Sequence, residues 1–124
     1  MIRAPLEPDP PGQPDCGWYA RAALRELPES GVDLLLVDGP PASPGSPRER
    51  GRYPALPRLA TRLAPGATVI LDDAQRSGER WVLERWRREL RLAFRPGEGG
   101  VAVARWRDAI PPQAAAEMYV HVDV

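Results

Sequence analysis

Three aspartates have the residue type and the spacing to do chemistry. Asp38 closes the apolar run at 32–37 (VDLLLV), and Asp72 and Asp73 close a second run at 67–71 (ATVIL). Carboxylates are the oxygen ligands that Mg²⁺ and Ca²⁺ take, and Mg²⁺ often uses only a few of them alongside water and substrate. A carboxylate at such a place can also act as a general base. Asp38 and Asp72 are 34 positions apart, the length of one βαβ unit. Parallel neighbours in a sheet lie about 4.8 Å apart, so both acids are expected at the same carboxyl edge, where open α/β sheets bind ligands. Three such charges repel, and a proton, an Arg or a hard cation must offset them. The residues leave a second reading open. Asp before Gly39 is a common turn pair, and Asp72 or Asp73 can cap a turn or pair with Arg76.

The elements that must position these acids are legible in the spacing. Residues 32–37 read as a strand buried on both faces, and 67–74 repeat the pattern. Between them, 40–53 (PPASPGSPRERGRY) form a long loop, of the kind that is functional or mobile. Pro54 opens a helix carrying Leu56, Leu59 and Leu63, which Ala64-Pro65-Gly66 stops. An earlier helix is expected at 18–27, with Ala20, Ala23, Leu24 and Leu27 on one face, and residues 2–6 are expected to end a strand. A later helix follows Ser77 as its cap, with Glu79 in its first turn and Val82, Trp86 and Leu90 four apart. RLAF and VAVARW around RPGEGG read as a hairpin over 91–106, and YVHVDV near the C-terminus reads as an edge strand. The whole is a single α/β domain over 1–124, with a Pro-rich segment at 1–17 and a tail at 107–124.

Composition sets the bounds. The 124 residues carry 17 basic and 17 acidic side chains, a net charge of zero, and every basic one is Arg. That balance gives no support to a nucleic-acid or membrane-surface binder. The absence of Lys excludes a Lys base and a Schiff base. The single Cys16 forms no internal disulfide, and the lone His121 has no liganding companion, so a zinc site is not expected. No apolar run approaches the roughly 20 residues of a membrane span, and the N-terminus lacks the apolar region of a signal peptide. A cytoplasmic protein is expected. Arg48, Arg50 and Arg52 read as solvated loop charge or as a hold for an anion, and Trp81, Trp86 and Trp106 as core or interface residues.

DLLLVDGPP at 33–41 and the stretch from Arg52 to Arg80 (RYPALPRLATRLAPGATVILDDAQRSGER) resemble the fourth and fifth strands of class I S-adenosylmethionine-dependent methyltransferases. The hairpin at 91–106 is similar to the antiparallel sixth and seventh strands that end such sheets. The resemblance covers residues 18–106 and implies the C-terminal half of a Rossmann-like doubly wound sheet: parallel strands with crossover helices, then an antiparallel hairpin. It implies methyl transfer from S-adenosylmethionine to an acceptor oxygen or similar nucleophile of a small molecule. Catechol-type members hold a divalent metal on an acid at the end of strand four and two adjacent residues at the end of strand five. The matching positions here are Asp38, Asp72 and Asp73, with Asp38 also beside the reacting groups and Mg²⁺ or another divalent cation as the metal. Those members place a Lys three residues after the strand-four acid; here Pro41 stands there, leaving Asp, Glu, Tyr53 or His121 as base. No glycine-rich cofactor loop precedes residue 32, and GEGG at 97–100 reads as a turn. The chain alone is therefore not expected to bind S-adenosylmethionine. A homodimer or a complementary N-terminal half chain is the expected partner, and a non-catalytic module is the alternative to an enzyme.

Overall fold

The computed structural model describes residues 5–7 and 18–106. The expected strand at 119–124, His121 and Cys16 lie outside the described residues, as do 2–4 of the expected first strand.

Two short strands, β1 (Leu6–Glu7) and β2 (Trp18–Tyr19), pair antiparallel, and the Ala20 N–H donates to the Pro5 carbonyl at 2.7 Å. Helix α1 (Arg21–Leu24) follows directly. The helix expected over 18–27 is thus four residues long, because Trp18 and Tyr19 spend their backbone bonds on the ladder with β1 instead.

The main sheet has four strands: β3 (Val32–Val37), β4 (Leu63–Leu71), β5 (Arg95–Pro96) and β6 (Ala102–Arg105), in the order β3-β4-β6-β5. β3 and β4 are parallel, with Val37 opposite Leu71, while β6 runs antiparallel to both β4 and β5. The architecture is mixed α/β with a mixed sheet. Helix α2 (Ala55–Leu59) and a 3₁₀ turn (Ala60–Arg62) form the crossover, and α3 (Ser77–Leu90) leads from β4 to the antiparallel pair. β4 starts at Leu63 and runs through Ala64-Pro65-Gly66, the residues expected to end the helix. Gly66 makes this passable: it sits at φ +77°, which glycine adopts without steric cost, and donates to the Trp106 carbonyl at 2.8 Å.

One face of the sheet is covered. Val37, Val69, Leu71, Ala102 and Ala104 are buried, and all but Ala102 join Leu56 of α2 and Val82, Trp86 and Leu90 of α3 in one cluster. Each large apolar side chain so buried contributes about 1.5–3 kcal/mol. The opposite face differs from the expectation that β3 is buried on both sides: Leu34 and Leu36 are 56% and 58% exposed. Alternate strand residues point to opposite faces, and the cluster that includes α2 and α3 takes Val37 and Leu35 from β3 but neither Leu34 nor Leu36. Among those residues β3 also has a partner on one side alone.

Candidate functional site

The crossover brings the two strand ends together as the spacing predicts. The Asp72 N–H donates to the Val37 carbonyl at 3.0 Å, so the ladder of β3 and β4 runs up to the acids themselves. Asp38, Asp72 and Asp73 each offer a carboxylate oxygen, and the three atoms lie within 4.8 Å of one another. Asp38 is exposed and the other two are half-buried.

Turn chemistry is present as well. The Asp73 N–H donates to Asp72 Oδ1 at 2.8 Å, and Asp73 has φ +55°, a left-handed conformation that Asp tolerates better than most residues because its side chain can bond locally. The two readings left open by the residues are therefore compatible: the turn presents the acids.

What offsets their repulsion is arginine, and the main donor is Arg52. Its side chain is only 5% exposed. Nη1 donates to Asp73 Oδ2 at 3.0 Å and to the Asp72 carbonyl at 3.2 Å, while Nε donates to the Pro40 carbonyl at 3.2 Å. One guanidinium thus ties the segment after β3 to the segment after β4. It is neither solvated loop charge nor free to hold an anion, unlike the exposed Arg48 and Arg50. Arg50 stacks over Trp81, 4.4 Å from the ring centre. Arg76 pairs with Asp73 as well, Nη2 to Oδ1 at 3.4 Å.

Arg52 reaches this position because the long loop braces itself. Successive backbone bonds link Ser46 to Ser43, Glu49 to Ser46, Gly51 to Arg48 and Tyr53 to Arg50. The loop is seated on the start of α3, where the Ser77 hydroxyl donates to Glu49 Oε1 at 2.6 Å. Ser77 therefore anchors the loop and makes no helix cap; the capping position belongs to Arg76, with no side-chain cap.

Glu79 completes the group. It is fully buried, and neither carboxylate oxygen has a hydrogen-bond partner. Oε1 lies 3.8 Å from Arg52 Nη1 and 3.9 Å from Arg76 Nη1. Burial pushes its carboxyl above the ordinary range, against the lowering pull of Arg52, its own backbone N–H and Arg76, with Asp73 adding to the rise. The sequence held a signal for this burial: Glu79 lies three residues before Val82 and seven before Trp86, on the apolar stripe of α3.

Three carboxylate oxygens gathered this closely are donors of the type that hard divalent cations take. Four carboxyl groups and two guanidiniums make up the set, so with every group ionised it carries a formal excess of two negative charges. Beside it, a cavity of about 420 Å³ is lined by Asp38 together with Trp18, Leu24, Leu35, Val37 and Leu59.

Of the base candidates, Tyr53 is engaged elsewhere. Its hydroxyl donates to Glu89 of α3, and burial with that carboxylate raises its pKa to about 12. Trp86 is buried and its Nε1–H donates to the Tyr53 carbonyl at 2.9 Å; Trp106 is buried too, while Trp81 is half-buried under Arg50 and Arg85. No helix among the described residues is long and apolar enough to cross a membrane. No family model, curated protein or solved structure matches the chain.

Proposed function

We propose that this chain supplies the cation- and acceptor-binding half of a Rossmann-like methyltransferase domain, using S-adenosylmethionine as methyl donor. The observation that carries the reading is the meeting of Asp38, Asp72 and Asp73 at one rim of a parallel strand pair, their oxygens within 4.8 Å. The antiparallel pair β5–β6 on the far side of the sheet supports it, since the resemblance implies two such closing strands.

In this reading Asp38, Asp72 and Asp73 hold a divalent cation. When bound, the cation supplies Lewis-acid activation of an acceptor oxygen and orients it. The chain's own residues do the rest. Through the Pro40 and Asp72 carbonyls, Arg52 fixes the two acid-bearing segments relative to each other, which is the preorganisation that proximity catalysis requires. The cavity beside Asp38, lined mostly by apolar side chains, gives the acceptor a seat. Asp38, the exposed member, is the carboxylate best placed to accept a proton from an acceptor there.

The second reading is a non-catalytic module that works as a partner subunit. The exposed Leu34 and Leu36 and the open side of β3 favour it.

Two measurements separate these readings. Unfolding of the full chain followed with Mn²⁺ or Mg²⁺ should show stabilisation that Asp72→Ala abolishes. At a cation concentration of 100 times Kd the gain is about 2.7 kcal/mol. No shift in either protein removes the cation site, and with it the metal-assisted reaction. Calorimetry with S-adenosylmethionine should give no heat for this chain alone and heat once a complementary half is supplied; no heat in either case favours the non-catalytic module.

A further inference from the structure

Resting on the cation reading above, we propose that Glu79 is the alternate acceptor for the arginines on Asp73, so that a divalent cation and the pair Arg52–Arg76 exchange partners there. A buried carboxylate ordinarily collects hydrogen bonds, and one without them asks for an explanation. Glu79 is fully buried with both oxygens unpartnered, yet two cationic donors stand 3.8 and 3.9 Å away. That is nearly 1 Å beyond a charge-assisted bond of about 2.7–2.9 Å. The same two side chains lie closer to Asp73, at 3.0 and 3.4 Å, one on each of its oxygens. The guanidiniums thus stand between two acceptors and favour Asp73.

A cation on Asp38, Asp72 and Asp73 claims an oxygen that Arg52 or Arg76 now occupies, and repels both guanidiniums. Turning toward Glu79 lets them make bonds that are unmade in this structure. It also keeps Arg52, 5% exposed, beside a counter-ion. Stripped of one, a buried charge is costly. Glu79 touches neither the cation nor the acceptor in this scheme. It is a positioning residue that acts through Arg52 and Arg76, and it sets how readily Asp73 is released.

A purely structural Glu79 would balance Arg52 and leave cation affinity alone. The two roles separate in the full chain, with Mn²⁺ affinity followed by the paramagnetic resonance of free Mn²⁺, and stability followed by urea unfolding in EDTA. Glu79→Gln is expected to weaken Mn²⁺ binding by about tenfold, within the usual range for coupled sites, while stability in EDTA holds or rises as a buried charge is removed. Arg76→Gln is expected to tighten Mn²⁺ binding several-fold, since one competitor is gone. Unchanged affinity in Glu79→Gln, or a loss accompanied by lower stability in EDTA, overturns the proposal. If Glu79→Gln does not fold, Arg76→Gln decides: tighter binding supports the exchange, and equal or weaker binding overturns it. Wild-type protein that takes up no Mn²⁺ removes the cation reading and this proposal together, whereas normal uptake with an indifferent Glu79→Gln removes this proposal alone.

Discussion

At the scale of single residues, side chains with ordinary sequence signatures have unusual settings, and Tyr53 makes this measurable. Its hydroxyl bonds Glu89, which Arg85 also engages. Its pKa is raised from 10.0 to about 12, by burial first and by Glu89 second. A raised pKa means the neutral phenol is the form the fold prefers. The stabilisation is whole below pH 10 and is lost as pH climbs through about 12. Tyr53→Phe is expected to cost about 1 kcal/mol at pH 8, the worth of one hydrogen bond. That cost should shrink as the wild type itself ionises, so urea midpoints of the two proteins should converge between pH 10 and 12. A gap that stays constant across that range would show that the hydroxyl is not what the fold is using. The acids themselves were legible in the sequence, because a carboxylate ending a buried strand has only one edge of the sheet to occupy. Arg52 and Glu79 were not: an Arg in a Ser/Pro/Gly loop and a Glu in a first helical turn both look solvated until the chain closes over them. The apolar stripe of α3 was the one hint for Glu79, whereas Arg52 has no periodicity to betray it.

At the scale of elements, the loop between β3 and α2 and the start of α3 behave as one unit, and Gly78 is the contact that permits it. A Cβ at Gly78 would lie 2.1 Å from the Glu49 carbonyl oxygen and 2.6 Å from its Cγ. Helix propensity favours Ala over Gly by about 1 kcal/mol in a helix. Overpacking against a backbone carbonyl costs about 1–3 kcal/mol, and that oxygen cannot rotate aside as a side chain would. The clash is therefore expected to win, with Gly78→Ala destabilising by up to about 2 kcal/mol net. A stabilised variant in urea would mean that the loop does not rest on α3. This unit also explains how the elements departed from their sequence pattern. The Leu56, Leu59 and Leu63 spacing reads as one helix, yet Leu63 belongs to β4, because its buried side chain opposite Val32 outweighs one more helical turn. Short segments such as 18–27 are decided by pairing partners far away in the chain, and Trp18–Tyr19 joined Leu6–Glu7.

At the scale of the whole molecule, the sheet is half clothed among the described residues, and this bears directly on partners. The run VDLLLV reads as doubly buried because all but one of its residues are apolar, and sequence alone gives no sign that Leu34 and Leu36 stay exposed among the described residues. Leu34 and Leu36 project from the bare face, next to Thr68 and Ile70 in register, on a strand whose outer side carries no partner among the described residues. Unpaired strand edges with apolar side chains are templates for association. A second copy presents the same leucines and the same edge, which is the self-complementarity a two-fold dimer needs. Wild-type protein is therefore expected to self-associate over a micromolar concentration series in sedimentation velocity. Leu34→Glu with Leu36→Glu should hold it monomeric while changing the monomer's stability by only about 0.5 kcal/mol, as for exposed positions. Leu71→Ala in the covered face gives the contrast, at about 2–5 kcal/mol. A wild type that stays monomeric throughout would mean that β3 does not recognise itself, while a large stability loss in the double variant would place these leucines in the interior of the single chain.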